Sequence, residues 1–126
     1  MNLPNIGSIF NFVDSTEDGL FTCVTPFIFW GTNDYFVARI RPQCNGKFII
    51  DDGGDTQWFT VISGNIFCRD SVIQILQNLF VNSEVEINDQ GVVQITSQDE
   101  AGISLAVVRL GQVVTTLYAS LISRKK

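Results

Sequence analysis

Three carboxylates, Asp51, Asp52 and Asp55, fall within five residues of one another in the stretch FIIDDGGDTQWF, together with two glycines and Trp58. Carboxylates so close could hold Mg²⁺ or Mn²⁺, which take oxygen ligands, and would then suit a divalent-metal-dependent hydrolase or nuclease. The spacing counts against a shared ion. If Asp51 and Asp52 continue a strand, their side chains point to opposite faces. As a calcium loop begun at Asp51, the third and sixth positions are Gly53 and Thr56, and the twelfth is Ile62 where a bidentate Glu is needed.

The same residues suit a strand-to-helix turn. Glycines permit the sharp reversal, and Asp52 or Asp55 would cap the following helix near its positive end. Exposed carboxylates about 4 Å apart repel by only about 1 kcal/mol in water, and attraction to the helix dipole of about 0.3–1 kcal/mol per charge offsets much of that. No metal or other cofactor is expected. A third reading makes the loop an acidic protein-binding surface.

Elsewhere chemistry is scarce. DSTEDG sets oxygen side chains at Asp14, Thr16 and Asp18 before Gly19, but the twelfth position of that loop is Thr25, so a solvated turn is expected. Histidine is absent and no GxSxG occurs, so a Ser or Cys nucleophile lacks its usual base, and no enzyme is expected. Cys23, Cys44 and Cys68 are widely spaced, with no CxxC, and read as reduced thiols; Cys44, in a turn, is the one that could react.

Charge narrows the partners. Eight Lys and Arg stand against thirteen Asp and Glu, and three of the eight are Arg124, Lys125 and Lys126. Residues 1–123 thus carry five basic and thirteen acidic groups. Such a surface repels phosphate backbones, so no direct nucleic-acid binding is expected. A basic protein patch, including one that normally holds DNA or RNA, would instead be attracted. The N-terminal residues lack the basic and apolar regions of a signal peptide, which gives a cytoplasmic expectation. The run AGISLAVVRLGQVVTTLYASLIS resembles a tail anchor, yet Arg109 near its middle would cost about 2.5–3.5 kcal/mol in a bilayer. A buried core helix is expected there, and no membrane partner.

These residues need elements to position them. At 126 residues one domain suffices. A short helix within residues 1–13, with Ile6, Ile9, Phe10 and Val13 on one face, is expected before DSTEDG. Strands at 20–30 and 35–41 form a hairpin across GTND, with Pro26 marking an edge or a break. A third strand spans 47–50 after CNG. A helix through residue 62 ends at SGN, and a second spans 70–81, where Val72, Ile75, Leu76 and Leu79 recur at helical spacing. Short strands at 84–87 and 92–96 meet at NDQG. A final helix spans 98–123, its apolar stripe being Ile103, Val107, Leu110, Val114, Leu117 and Leu121; a stripe this wide also permits a homodimer.

The order is α-β-β-β-α-α-β-β-α. It predicts an α+β fold, one domain over 1–126, with antiparallel strands in two groups, three strands and a two-strand hairpin, under packed helices. The two helices and hairpin within 54–96 also allow a winged-helix transcriptional regulator, although the second helix offers only Arg69 as a cation. Trp30 and Trp58 flank the two turns that bracket the central strands. They suit core anchors first, although a Trp beside an acidic loop is also what a protein interface would use.

The order of TPF at Thr25 to Phe27, a strand, FIIDDGGD, an Arg-led apolar helix, a hairpin and a long last helix resembles domain of unknown function 1828, over residues 20–118. That family consists of small bacterial proteins, many of them carried by phages and prophages. The resemblance sets its central turn on Asp51, Asp52 and Gly53 and its helix-leading arginine on Arg69; Ile50 in place of Thr, and the added Gly54 and Asp55, depart from the pattern. It implies a mobile-element setting and no activity. The expected function is therefore a non-enzymatic protein-binding module, in its most specific form an inhibitor of a host defence nuclease complex, of the anti-CRISPR or anti-restriction type. Its expected contact surface comprises Trp30, Asp34, Asp51, Asp52, Asp55 and Trp58.

Overall fold

The computed structural model describes residues 11–15 and 20–123. Along the chain run β1 (Asn11–Ser15), β2 (Phe21–Ile28), β3 (Tyr35–Pro42), β4 (Phe48–Asp51), α1 (Asp55–Ile62), α2 (Arg69–Leu79), β5 (Glu86–Ile87), β6 (Val93–Ser97), a 3-10 turn at Glu100–Gly102 and α3 (Ile103–Ser123). All strands are antiparallel and belong to one six-stranded sheet of order β1-β2-β3-β4-β6-β5. The α+β class stands as predicted. The two expected strand groups are fused, because β4 pairs with β6 from Phe48↔Ser97 to Asp51↔Gln94.

Alternation at a period of two decides which face is covered. Phe21 and Cys23 of β2, Phe36, Ala38 and Ile40 of β3, Phe48 and Ile50 of β4, and Val93 and Ile95 of β6 are all buried. Across them lies α3, which contacts β2, β3, β4 and β6. Every member of the predicted stripe, from Ile103 to Leu121, is buried. The stripe thus packs on the chain's own sheet and is not free to form a homodimer. Glu100–Ile122 is long and apolar enough to cross a membrane, and half of its most apolar window is buried inside the fold.

The short helix within residues 1–13 is corrected in its last part. Residues 11–13 are strand, held by β1–β2 pairs such as Asn11↔Val24 and Phe12↔Cys23; residues 1–10 lie outside the described residues. A ladder of this kind depends on pairing with the next strand, which helical spacing of Ile6, Ile9, Phe10 and Val13 does not reveal.

The TPF motif has a structural account. Pro26 brings no N–H to the ladder, and the β2–β3 register jumps between Val24↔Val37 and Ile28↔Tyr35. Here the Thr25 hydroxyl substitutes for the backbone: it donates to the Phe36 carbonyl at 2.8 Å and accepts from the Phe27 N–H at 3.2 Å. The Phe27 ring then lies so close to Gly111 of α3 that a Cβ there would overlap it. Pro26 marks a break, as expected, although β2 is an interior strand.

Arg69 leads α2 and reaches across to the β5–β6 hairpin. Its Nε donates to the Asn88 carbonyl at 2.8 Å and its Nη2 to the Ile87 carbonyl at 3.2 Å. The helix is thereby tied to the far edge of the sheet.

Two truncations separate core from surface. Leu117→Ala, at a fully buried position, should lower unfolding free energy by about 2–5 kcal/mol. Leu79→Ala, at a position 64% exposed, should change it by about 0.5 kcal/mol or less. Urea denaturation followed by circular dichroism measures both.

Candidate functional site

The chain leaves β4 at Asp51 and enters α1 at Asp55, so the turn between them has two glycines in the left-handed region, Gly53 at φ 64° and Gly54 at φ 84°. A side chain on Gly53 would also collide with the Arg39 guanidinium. The two adjacent carboxylates point to opposite faces, as strand alternation predicts. Asp51 emerges beside Arg41, whose Nε donates to Asp51 Oδ2 at 3.0 Å, while Oδ1 accepts the Gly53 N–H at 2.7 Å.

Asp52 points inward and is 0% exposed. Its Oδ1 accepts N–H bonds from Gly54 at 2.8 Å and from Val93 at 3.2 Å, and its Oδ2 accepts from Thr56 at 3.2 Å. Its own N–H donates to the Val93 carbonyl at 3.0 Å. Gly54 occupies the residue before the helix, so the expected cap is supplied by Asp52 from two residues further back. Burial raises the Asp52 carboxyl to about 6, against the opposing pull of its hydrogen bonds. The Thr56 hydroxyl makes no well-formed hydrogen bond, although its proximity favours the ionised carboxylate.

Asp51 and Asp52 therefore leave the expected contact surface, since both are buried and bonded within the turn. Nor do Asp51, Asp52 and Asp55 converge. Among the described residues, no group of three or more acidic or cysteine side chains is arranged to hold a metal ion.

Asp55 is different. Its half-buried carboxylate forms no hydrogen bond or ion pair among the described residues. Partial desolvation raises its pKa, Arg39 lowers it, and Asp34 and Asp51 raise it. The β2–β3 turn that carries Trp30 and Asp34 is thus within electrostatic reach of the start of α1. Beneath the two elements, the rings of Phe29 and Phe59 lie 4.9 Å apart, and Tyr118 of α3 meets Phe29 edge-on at 5.4 Å.

These phenylalanines anchor the core, and their neighbours Trp30 and Trp58 do not: the tryptophans are 69% and 60% exposed. The outer side of α1 exposes Trp58, Val61 and Ile62, whereas its inner side buries Thr56 and Thr60 and packs Phe59 on the core. Thr60 satisfies its hydroxyl by donating to the Thr56 carbonyl at 2.7 Å. An open groove of about 620 Å³ is lined by Gly53, Gly54, Asp55, Gln57, Trp58 and Val61.

Val61 and Ile62 were not among the expected site residues. Their spacing from Trp58, three and four residues, is the signal that marks them as one helix face, but spacing does not say that the face is outward. Among the thiols, Cys23 is buried and raised to about 11. Cys68, which precedes α2, is lowered by hydrogen bonds from Ser71 and Asp70.

No family model, curated protein or solved structure matches the chain. The resemblance to domain of unknown function 1828 rests on the motifs alone.

Asp52 predicts a pH dependence of definite sign. Its folded value of about 6 exceeds the ordinary 3.8, so the folded state holds the proton more tightly. Burying the ionised form costs about 3 kcal/mol above pH 6, and that cost disappears as pH falls toward 4. Between pH 7 and pH 4, wild type should gain about 2 kcal/mol in unfolding free energy relative to Asp52→Asn, which cannot titrate. Paired urea titrations across that range measure the difference.

Proposed function

We propose that this chain is a non-enzymatic protein-binding module whose contact surface is the outer face of α1 together with the β2–β3 turn. The carrying observation is the outer face of α1, which exposes Trp58, Val61 and Ile62 although the same helix buries two threonines. Large apolar side chains grouped on a surface mark interaction sites, and tryptophan is enriched among residues that dominate binding energy. Asp55 lies in the wall of the groove on this face, and Asp34 of the β2–β3 turn is within electrostatic reach of it.

The setting implied by the resemblance is a phage or other mobile element acting in a host cytosol. An acidic chain with an apolar contact face suits a partner whose own surface is basic. Inhibition of a host defence nuclease complex, by occupying a basic surface, is the specific form of this reading. Nucleic acid and membrane have no part in it.

The competing readings lose their residues. A metal-dependent hydrolase would need Asp51 and Asp52 free, yet both are bonded to backbone N–H groups. A winged helix would need Arg69 free, yet it is bonded to the β5–β6 hairpin and lies 3.6 Å from Asp89.

Affinity capture from a host lysate tests the proposal, using wild type and a Trp30→Ser/Trp58→Ser variant whose fold is checked by circular dichroism. A stoichiometric partner should bind the variant about thirtyfold more weakly or worse, the loss expected of a residue worth about 2 kcal/mol. A partner held equally by both proteins would remove this surface from consideration, and capture of no macromolecule would remove the function.

A further inference from the structure

A helix N-terminus flanked by glycines ordinarily invites an anion, but this one is already filled. The Gly54 and Thr56 N–H groups donate to the Asp52 carboxylate, the Gly53 N–H to Asp51, and the Asp55 N–H to the Asp52 carbonyl. What the groove offers outward is the reverse charge, the Asp55 carboxylate, half-buried and without a hydrogen bond among the described residues. No Lys or Arg occurs in residues 29–35 or 53–68, which supply the β2–β3 turn, α1 and the loop beyond it. Arg39, exposed beside Gly53, is the cation that acts on Asp55.

We propose that this groove receives an arginine side chain of the partner protein, carried on an apolar segment that lies along α1. The inference rests on the protein-binding reading above and names the chemistry of its partner. Charge complementarity selects a cation, with Asp55 in the groove wall and Asp34 near it. The indole of Trp58 selects arginine over lysine, because a planar guanidinium stacks on an aromatic face while its edge donates to a carboxylate. Val61, beside Trp58, and Ile62, one residue further, give the flanking residues of that segment an apolar strip.

The probe is the capped tripeptide acetyl-Leu-Arg-Leu-amide, with lysine and citrulline counterparts, titrated into the ¹⁵N-labelled full chain. The arginine peptide should shift the Trp58 indole and the Gly53 and Gly54 amides saturably, with a Kd of about 1 mM, a value typical of a small fragment. Citrulline, which keeps the shape and lacks the charge, should bind at least fivefold more weakly. Asp55→Asn should weaken the arginine peptide by the same factor without disturbing the fold, and Trp58→Ser should do likewise.

Equal binding of the lysine peptide overturns the choice of arginine. Shifts confined to other surfaces, or concentration-dependent self-association through α1, overturn the site. If the peptide fails while lysate capture is still weakened in the Trp30→Ser/Trp58→Ser variant, the arginine inference falls alone; if capture is also unchanged in that variant, the protein-binding reading of this surface falls with it.

Discussion

One buried carboxylate joins three parts of this fold. Asp52 accepts N–H bonds from the glycine turn, from the first turn of α1 and from the start of β6. Charge-assisted bonds of this kind contribute about 1.5–3 kcal/mol each, while desolvation of an ionised group costs several kcal/mol. The raised pKa shows which term is the larger. Asp52 is therefore less a source of net stability than a specifier of geometry. With its backbone N–H given to Val93 and its side chain accepting in return, it closes the β4–β6 ladder at the point where the chain turns into a helix.

Two consequences follow from that position. The β5–β6 hairpin is fixed beside β4, which makes one sheet from what local sequence presents as two groups. The start of α1 is fixed as well, and with it the rotation of the helix. Thr56 falls toward the carboxylate and Thr60 one turn later, so the buried side of α1 holds these two hydroxyl residues together with the partly buried Phe59. Trp58, Val61 and Ile62 then have no place to go but outward.

This explains what could and could not be read from the residues. Strand β6 alternates apolar and polar residues over a single covered face, β3 does so from Ala38 to Arg41, and α2 and α3 carry stripes at helical spacing, so local periodicity specifies them. The hairpin turns carry Gly, Asn and Asp where their backbones need them. The β1 strand depends on pairing with β2, a contact outside the reach of any local pattern. The tryptophans mislead for a similar reason. Hydrophobicity places Trp58 inside, but the orientation of α1 is set by a polar anchor, Asp52, four residues before Thr56. The opposite directions of Asp51 and Asp52 are legible, because alternation is a local rule; that Asp51 would also pair with the Arg41 side chain, and Asp52 also accept the Val93 N–H, depends on the neighbouring strands β3 and β6.

The distribution of cations completes the argument. Arg41 is paired with Asp51, Arg109 with Glu84, and Arg69 with two carbonyls and Asp89. Partly exposed pairs like these add about 0–1 kcal/mol of stability. Their larger effect is on the surface field, since each paired arginine presents a nearly neutral unit, while Asp34 and Asp55 form no ion pair among the described residues and Arg39 acts on Asp55 at longer range. Acidic charge of that kind acts over the screening distance of about 8–10 Å and governs the rate at which a basic partner is met. Apolar contact acts only at touching distance and governs how long the partner stays. In the proposed reading, the start of α1 combines the two ranges, with Asp55 and Asp34 drawing a cationic surface toward a helix face whose apolar side chains the fold itself has turned outward.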